Sequence, residues 1–228
     1  MTAYFVTSTG TGVGKTFTTC ALLTAARNQG RAVRGLKPII SGWRDDSDSD
    51  TARIIEAGGN IQQVDNVSPW RFVAPLSPHR AAALEGASID VVALEDWCKS
   101  QIISDGLTLV EGAGGVMTPI TNNYTMLDLM TALKLPVILV VGSYLGSISH
   151  TLSALEVLRA RGLKVAALVI SETTGSEVTL AETQAGMQPF LADIAWCIVQ
   201  PRVTSTPQAK PLHALMEKLR EIRKPMCA

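Results

Sequence analysis

A chain of 228 residues with 20 basic and 20 acidic side chains carries no formal net charge, and no basic stripe or tail recommends nucleic acid or a membrane surface as its partner. Hydrophobic residues make up 46% of it but aromatic ones only 5%, a balance that favours buried parallel strands of valine, isoleucine, leucine and alanine. The four cysteines, Cys20, Cys98, Cys197 and Cys227, lack the paired spacing of a zinc or redox motif and fit a reducing compartment.

The N-terminus has neither the basic start nor the long apolar core of a signal peptide. The longest apolar run, Leu135 to Val141, is too short to span a bilayer, so a cytoplasmic protein is expected. Ala3 to Val6 predicts a strand, and Phe17 to Gln29, rich in alanine and leucine, a helix. Between them lies Ser8-Thr9-Gly10-Thr11-Gly12-Val13-Gly14-Lys15-Thr16. A strand, a glycine-rich turn and a helix start suit a phosphate, because the glycines let several N–H groups point at one anion and the helix end adds partial positive charge. Lys15 would reach the β and γ phosphates, and Thr16 would hold magnesium. Thr9 stands where the pattern G-x-x-x-x-G-K-[ST] has glycine, and Gly10 and Gly12 partly compensate. The structural alternative is a turn that merely joins strand to helix.

Arg31 to Ile39 predicts a second strand with Lys37 near its C-terminal end. In open parallel sheets the ligand crevice lies beyond that end, which would put Lys37 and Ser41 near the phosphate loop. The alternative for Lys37 is a solvated lysine. Asp50 opens a helix at Thr51 to Ile55, as its cap or as a metal ligand, while Asp45, Asp46 and Asp48 read as solvated loop. Gly58 to Pro78 is loop-like, at a length that is often functional, and His79 beside it reads as a structural histidine. From Ser88 to about Ile103 an amphipathic helix carries Val91, Leu94, Trp97, Cys98 and Ile102 on its core side. Gly106 to Glu111 follows as a buried strand that ends in an acid and a glycine-rich turn, Gly112-Ala113-Gly114-Gly115. There Glu111 is placed to bind magnesium on a nucleotide, and without a cation it would be a costly near-buried charge. Its alternative is a surface glutamate at a turn.

Thr125 to Leu133 predicts a helix, Leu135 to Gly142 the clearest strand, and Ile148 to Arg161 a helix stopped by Gly162. Free N–H groups where that helix starts offer a second anion site suited to a carboxylate, with capping by Ser147 or Ser149 as the alternative. A strand at Leu163 to Ile170, a helix near Val178 to Met187, a short strand at Ala195 to Val199 and a closing helix from Leu212 to Arg223 complete the series. Such sustained alternation, without repeats or linkers, predicts one α/β domain over residues 1–228, with a mostly parallel sheet covered by helices on both faces.

In their order, Lys15-Thr16, Lys37-Pro38 followed by Ser41, Asp50, Ala74-Pro75-Leu76-Ser77-Pro78-His79 and Val110-Glu111-Gly112-Ala113-Gly114-Gly115 closely resemble the dethiobiotin synthetase family. The resemblance runs from Tyr4 to about Ala160 and more thinly beyond. It implies a P-loop nucleoside triphosphatase fold, a homodimer, and a reaction in which 7,8-diaminopelargonic acid, CO2 and Mg-ATP give dethiobiotin. Under it, Gly12, Val13, Gly14, Lys15, Thr16 and Phe17 bind the nucleotide, and Thr16, Asp50 and Glu111 hold Mg²⁺. Lys37, Lys15 and Thr11 become catalytic; Ser41 lies beside the substrate, and Gly146, Ser147 and Ile148 meet the substrate carboxylate near the subunit boundary. Ser8, Gly10 and the pair Ser171-Glu172 depart from the family pattern, which usually has glycine, aspartate and Asn-Asp at these places. The rivals are an amidotransferase acting on cobyrinic acid, for whose glutaminase domain the chain is too short, and a partitioning-type switch ATPase that binds DNA or membrane.

Overall fold

Strand β1, Thr2–Ser8, is the centre of the fold, because its side chains alternate between two apolar layers. Phe5 points into one with Leu36, Val110 and Leu139, and Tyr4 and Val6 point into the other with Leu22, Leu109 and Ile138. The computed structural model describes residues 2–44, 48–201, 203 and 209–221. Asp45, Asp46, Cys227 and the predicted end of the closing helix at Arg223 lie outside them.

The strands β2 (Val33–Leu36), β5 (Leu107–Glu111), β6 (Val137–Gly142), β7 (Val165–Ser171) and β8 (Cys197–Gln200) join β1 in one parallel sheet of order β2-β5-β1-β6-β7-β8. Helices α1 (Lys15–Asn28), α2 (Asp50–Ala57) and α8 (Lys210–Glu221) cover one face, through Leu22, Leu23, Ile54, Leu212 and Leu215. Helices α3 (Pro78–Leu84), α4 (Val91–Ser100), α5 (Met126–Leu133), α6 (Ser147–Ala160) and α7 (Leu180–Met187) cover the other, through Ala81, Leu94, Met130, Leu155 and Met187. Each fully buried leucine or isoleucine contributes about 1.5–3 kcal/mol of burial, so these layers hold the strand ends still. Gly35 shows how close they come: a Cβ there would run into Ile54 and Leu23.

Three local expectations are corrected. The segment read as one strand from Arg31 to Ile39 divides, since Pro38 cannot donate to a ladder; β2 stops at Leu36, and β3 (Ile39–Ser41) leaves for a separate pairing. Its partner is β4 (Trp70–Phe72), which lies inside the stretch Gly58 to Pro78 read as loop, together with a 3-10 turn at Val64–Asn66. Aromatic contacts fix this strand, with Arg71 over the Trp43 ring at 5.4 Å and Trp70 edge-on to Trp97 at 5.9 Å. At α2 the cap is Ser49, whose hydroxyl accepts from the Ala52 N–H, so Asp50 is the first helical residue and its carboxylate is free for other work. No helix among the described residues is long and apolar enough to cross a membrane.

Candidate active site

Register brings the site together. Val6 lies opposite Glu111 on β5, and Leu36 on β2 lies opposite Val110, so the residue after Leu36, Lys37, arrives beside Glu111. Two residues past Val6 the chain leaves β1 as the phosphate loop, directly above the same acid. The loop turns at Gly12 (φ 76°) and Gly14 (φ 100°), a left-handed geometry that side chains resist. A Cβ on Gly14 would also sit 2.7 Å from Ser171 Oγ. That turn aims α1 so that it begins at Lys15 rather than at Phe17.

Lys15 is 6% exposed, and its ammonium donates to Ser8 Oγ (3.0 Å) and to the Gly10 carbonyl (3.2 Å). Burial lowers its pKa to about 8, against the pull of Glu111, with the Lys37 charge adding to the depression. Glu111 is fully buried: its Oε1 accepts from the Thr16 hydroxyl and the Lys37 ammonium, both at 2.7 Å. Lys37 also pairs with Asp50. Burial alone would lower the Lys37 pKa, but Glu111 and Asp50 outweigh it and hold the ammonium above the ordinary lysine value. Burial likewise opposes ionisation of Asp50, and Lys37 overrides it to keep the carboxyl below its usual range.

Thr16, Lys15, Lys37 and Asp50 border a cavity of about 800 Å³, lined also by Thr11, Gly12, Gly14 and Phe17 of the loop and α1, while Glu111 is buried behind the Lys37 and Thr16 side chains that it accepts from rather than lining it. Lys37, Ser41 and Asp50 close one side, and Pro75 to Pro78 another. The donor set fits magnesium. A hydroxyl and two carboxylates are hard oxygen ligands, and Glu111 Oε2 is buried without a hydrogen-bond partner, an atom that a cation would satisfy. No group of three or more His, Cys, Asp or Glu among the described residues could hold a metal by itself, so phosphate oxygens and water would have to supply further ligands.

Of the residues singled out from the sequence, Val13 packs half-buried against the α1 side of the core rather than lining the cavity. Gly146, Ser147 and Ile148 also stand apart from it within one chain. Gly146 (φ 94°) turns the chain into α6, the Ser147 N–H donates to the Tyr144 carbonyl (2.9 Å), and Ile148 packs on Gly186 of α7. A shallower space of about 560 Å³ adjoins the cavity at Thr11, Thr118 and Pro119 and reaches α6 at His150 and Ser153. Arg53 lines the cavity unanticipated; its spacing of three residues from Asp50 on a helix was the available signal.

A family profile described as an AAA domain matches residues 2–200. Among solved structures, the cell division ATPase MinD of Pyrococcus furiosus covers 97% of this chain and 100% of its own, with a TM-score of 0.61 at 19% identity. A chain of the MinC:MinD cell division protein complex of Aquifex aeolicus covers 100% and 99%, at 0.60 and 14%. At such identities the likeness is one of fold, and fold and phosphate loop together define a P-loop nucleoside triphosphatase. Curated relatives are much nearer in sequence. An ATP-dependent dethiobiotin synthetase of Caulobacter vibrioides is 52% identical over 76% of this chain and 81% of its own length. Those of Caulobacter sp. K31 and Phenylobacterium zucineum are 47% and 46% identical over 84% of this chain, and 84% and 88% of theirs. The chain belongs to the dethiobiotin synthetase family.

Proposed function

We propose that this chain is a single nucleotide-binding domain that uses Mg-ATP to close 7,8-diaminopelargonic acid and CO2 into dethiobiotin, a ligase step of biotin synthesis. The observation that carries this reading is the convergence of Lys15, Thr16, Lys37 and Asp50 at one cavity, with Glu111 buried behind Thr16 and Lys37, in a chain 52% identical to an enzyme of that name. The rival switch ATPase is supported by fold likeness alone.

In the reaction, one substrate amine adds to CO2 and loses a proton, giving a carbamate. A carbamate oxygen attacks the γ-phosphorus, the bond to the β–γ bridging oxygen breaks, and ADP leaves with that electron pair. The second amine then attacks the carbonyl carbon of the carbamic-phosphoric anhydride, phosphate departs, and the cyclic urea is closed. Negative charge gathers on a weak nucleophile and a transferring phosphoryl group, so the protein's task is positioning and charge neutralisation.

Lys15 serves the β and γ phosphates, and the N–H groups of Gly12, Val13, Gly14, Lys15 and Thr16 line the turn, with Phe17 beside them. Thr16, Asp50 and Glu111 would hold magnesium, which when bound neutralises phosphate charge. Lys37, buried at the same wall, supplies the ammonium for the carbamate and the transferred phosphoryl group, and Thr11 and Ser41 flank the substrate. Since Gly146, Ser147 and Ile148 stand apart from their own chain's cavity, we assign the substrate carboxylate to the α6 start of a partner subunit in a homodimer. We assign the reaction to the cytoplasm, where ATP and bicarbonate are at hand, and it calls on neither nucleic acid nor a membrane.

The test is phosphate release from Mg-ATP with and without the diamine and bicarbonate, with mass detection of product. Release that needs both, yielding a product of dethiobiotin mass, is the expected result. Release indifferent to the diamine would overturn the assignment.

A further inference from the structure

At the end of β1, Ser8 is fully buried, and its hydroxyl stands where three parts of the site meet. It accepts from the Lys15 ammonium at 3.0 Å. Its own proton faces two carbonyls, Gly10 at 2.6 Å in the phosphate loop and Gly114 at 3.0 Å in the turn after Glu111. One proton serves one carbonyl well, and the shorter bond favours Gly10, the same oxygen that takes the second Lys15 bond at 3.2 Å. Ammonium, hydroxyl and carbonyl thus close a three-membered ring of contacts.

The surroundings hold the hydroxyl in place. The turn after Glu111 lies against the phosphate loop so tightly that a Cβ on Gly115 would stand 3.2 Å from Gly10 N, Ser8 O and Thr9 C. The Val116 N–H adds a bond to the Ser8 carbonyl at 3.0 Å. A buried ammonium that loses one of its acceptors there keeps the desolvation cost of the lost bond and gains rotamers that point away from the phosphates.

From this geometry we propose that Ser8 is a positioning residue for nucleotide binding: its hydroxyl holds the Lys15 ammonium over the phosphate loop, in the place from which it meets the phosphates. Ser8 lines neither the cavity nor the space beside it, and works through Lys15. The inference rests on the Mg-ATP reading above and adds a residue to it.

The experiment titrates a non-hydrolysable Mg-ATP analogue into wild type, Ser8→Ala, Lys15→Met and the double variant, by calorimetry. Ser8→Ala lowers affinity about five- to tenfold, less than the full worth of a charge-assisted bond because Lys15 keeps the Gly10 carbonyl as an acceptor. In the Lys15→Met background the same change alters affinity by less than about twofold, because the partner is gone. Near-UV circular dichroism checks each fold. If Ser8→Ala does not fold, Ser8→Cys keeps the volume with a weaker acceptor and lowers affinity about two- to fourfold, again only when Lys15 is present. An equal loss in both backgrounds, or no loss in either, overturns the inference while leaving the Mg-ATP reading intact. Failure of the wild type to bind the analogue overturns both.

Discussion

Replacing Lys37 by methionine keeps most of the side-chain volume but removes the charge that pairs Glu111 with Asp50. Removing one partner of a buried pair costs about 3–5 kcal/mol, because the other charge stays desolvated and unpaired. Here the cost is smaller. Asp50 is 37% exposed and can turn to solvent, while buried Glu111 retains the Thr16 hydroxyl, so about 2–3 kcal/mol is expected. For 228 residues, at about 3 °C per kcal/mol, the unfolding midpoint falls about 6–9 °C without magnesium. Magnesium then has two free carboxylates in place of an occupied pair, and at a hundredfold excess over its Kd it restores about 2.7 kcal/mol. The assay is thermal unfolding of wild type and Lys37→Met over a magnesium titration, with Mg-ATP binding and turnover measured in parallel. Binding persists and turnover is lost. An unchanged midpoint in the variant, or an equal magnesium response in both proteins, would refute the view that Lys37 occupies the cation's ligands.

Lys15→Ala weakens Mg-ATP binding about 10–100-fold, the scale of a charge-assisted bond, as read by the same calorimetry; undiminished affinity would remove Lys15 from the phosphates. Gly14→Ala forces a side chain into φ 100° and against Ser171, and costs about 1–3 kcal/mol in urea unfolding along with nucleotide binding. Asp128 opens α5 through a capping box with Thr125 and a bond to Arg161 at 2.9 Å. Burial works against its ionisation, but the Thr125 and Arg161 bonds prevail and hold its carboxyl below the ordinary aspartate range. The unfolded chain therefore binds the proton first as pH falls, so this stabilisation is present above pH 3.8 and lost as pH drops through the lower folded value. Asp128→Asn should cost about 1 kcal/mol at pH 6 and much less at pH 2.5; an equal cost at both pH values would contradict the linkage.

The phosphate loop was legible because its chemistry is local: nine residues from Ser8 to Thr16 carry strand end, turn and helix start in a fixed spacing. The parallel strands were legible for a related reason, since a strand buried on both faces must be apolar throughout, as Val137 to Gly142 is. Lys37, Asp50 and Glu111 could each be suspected from the strand or helix end they occupy. The bridge that Lys37 makes between the two acids could not, because it follows from the order β2-β5-β1 and from a register that sets Leu36 against Val110, both decided by packing between segments far apart in the chain. The same reason hid the pairing of β3 with β4 inside an apparent loop, where three residues are too few to show a period. It also hid Ser8, which reads in the sequence as one more small residue of a turn. Only the fold brings Gly114, more than a hundred residues away, to within 3.0 Å of its hydroxyl.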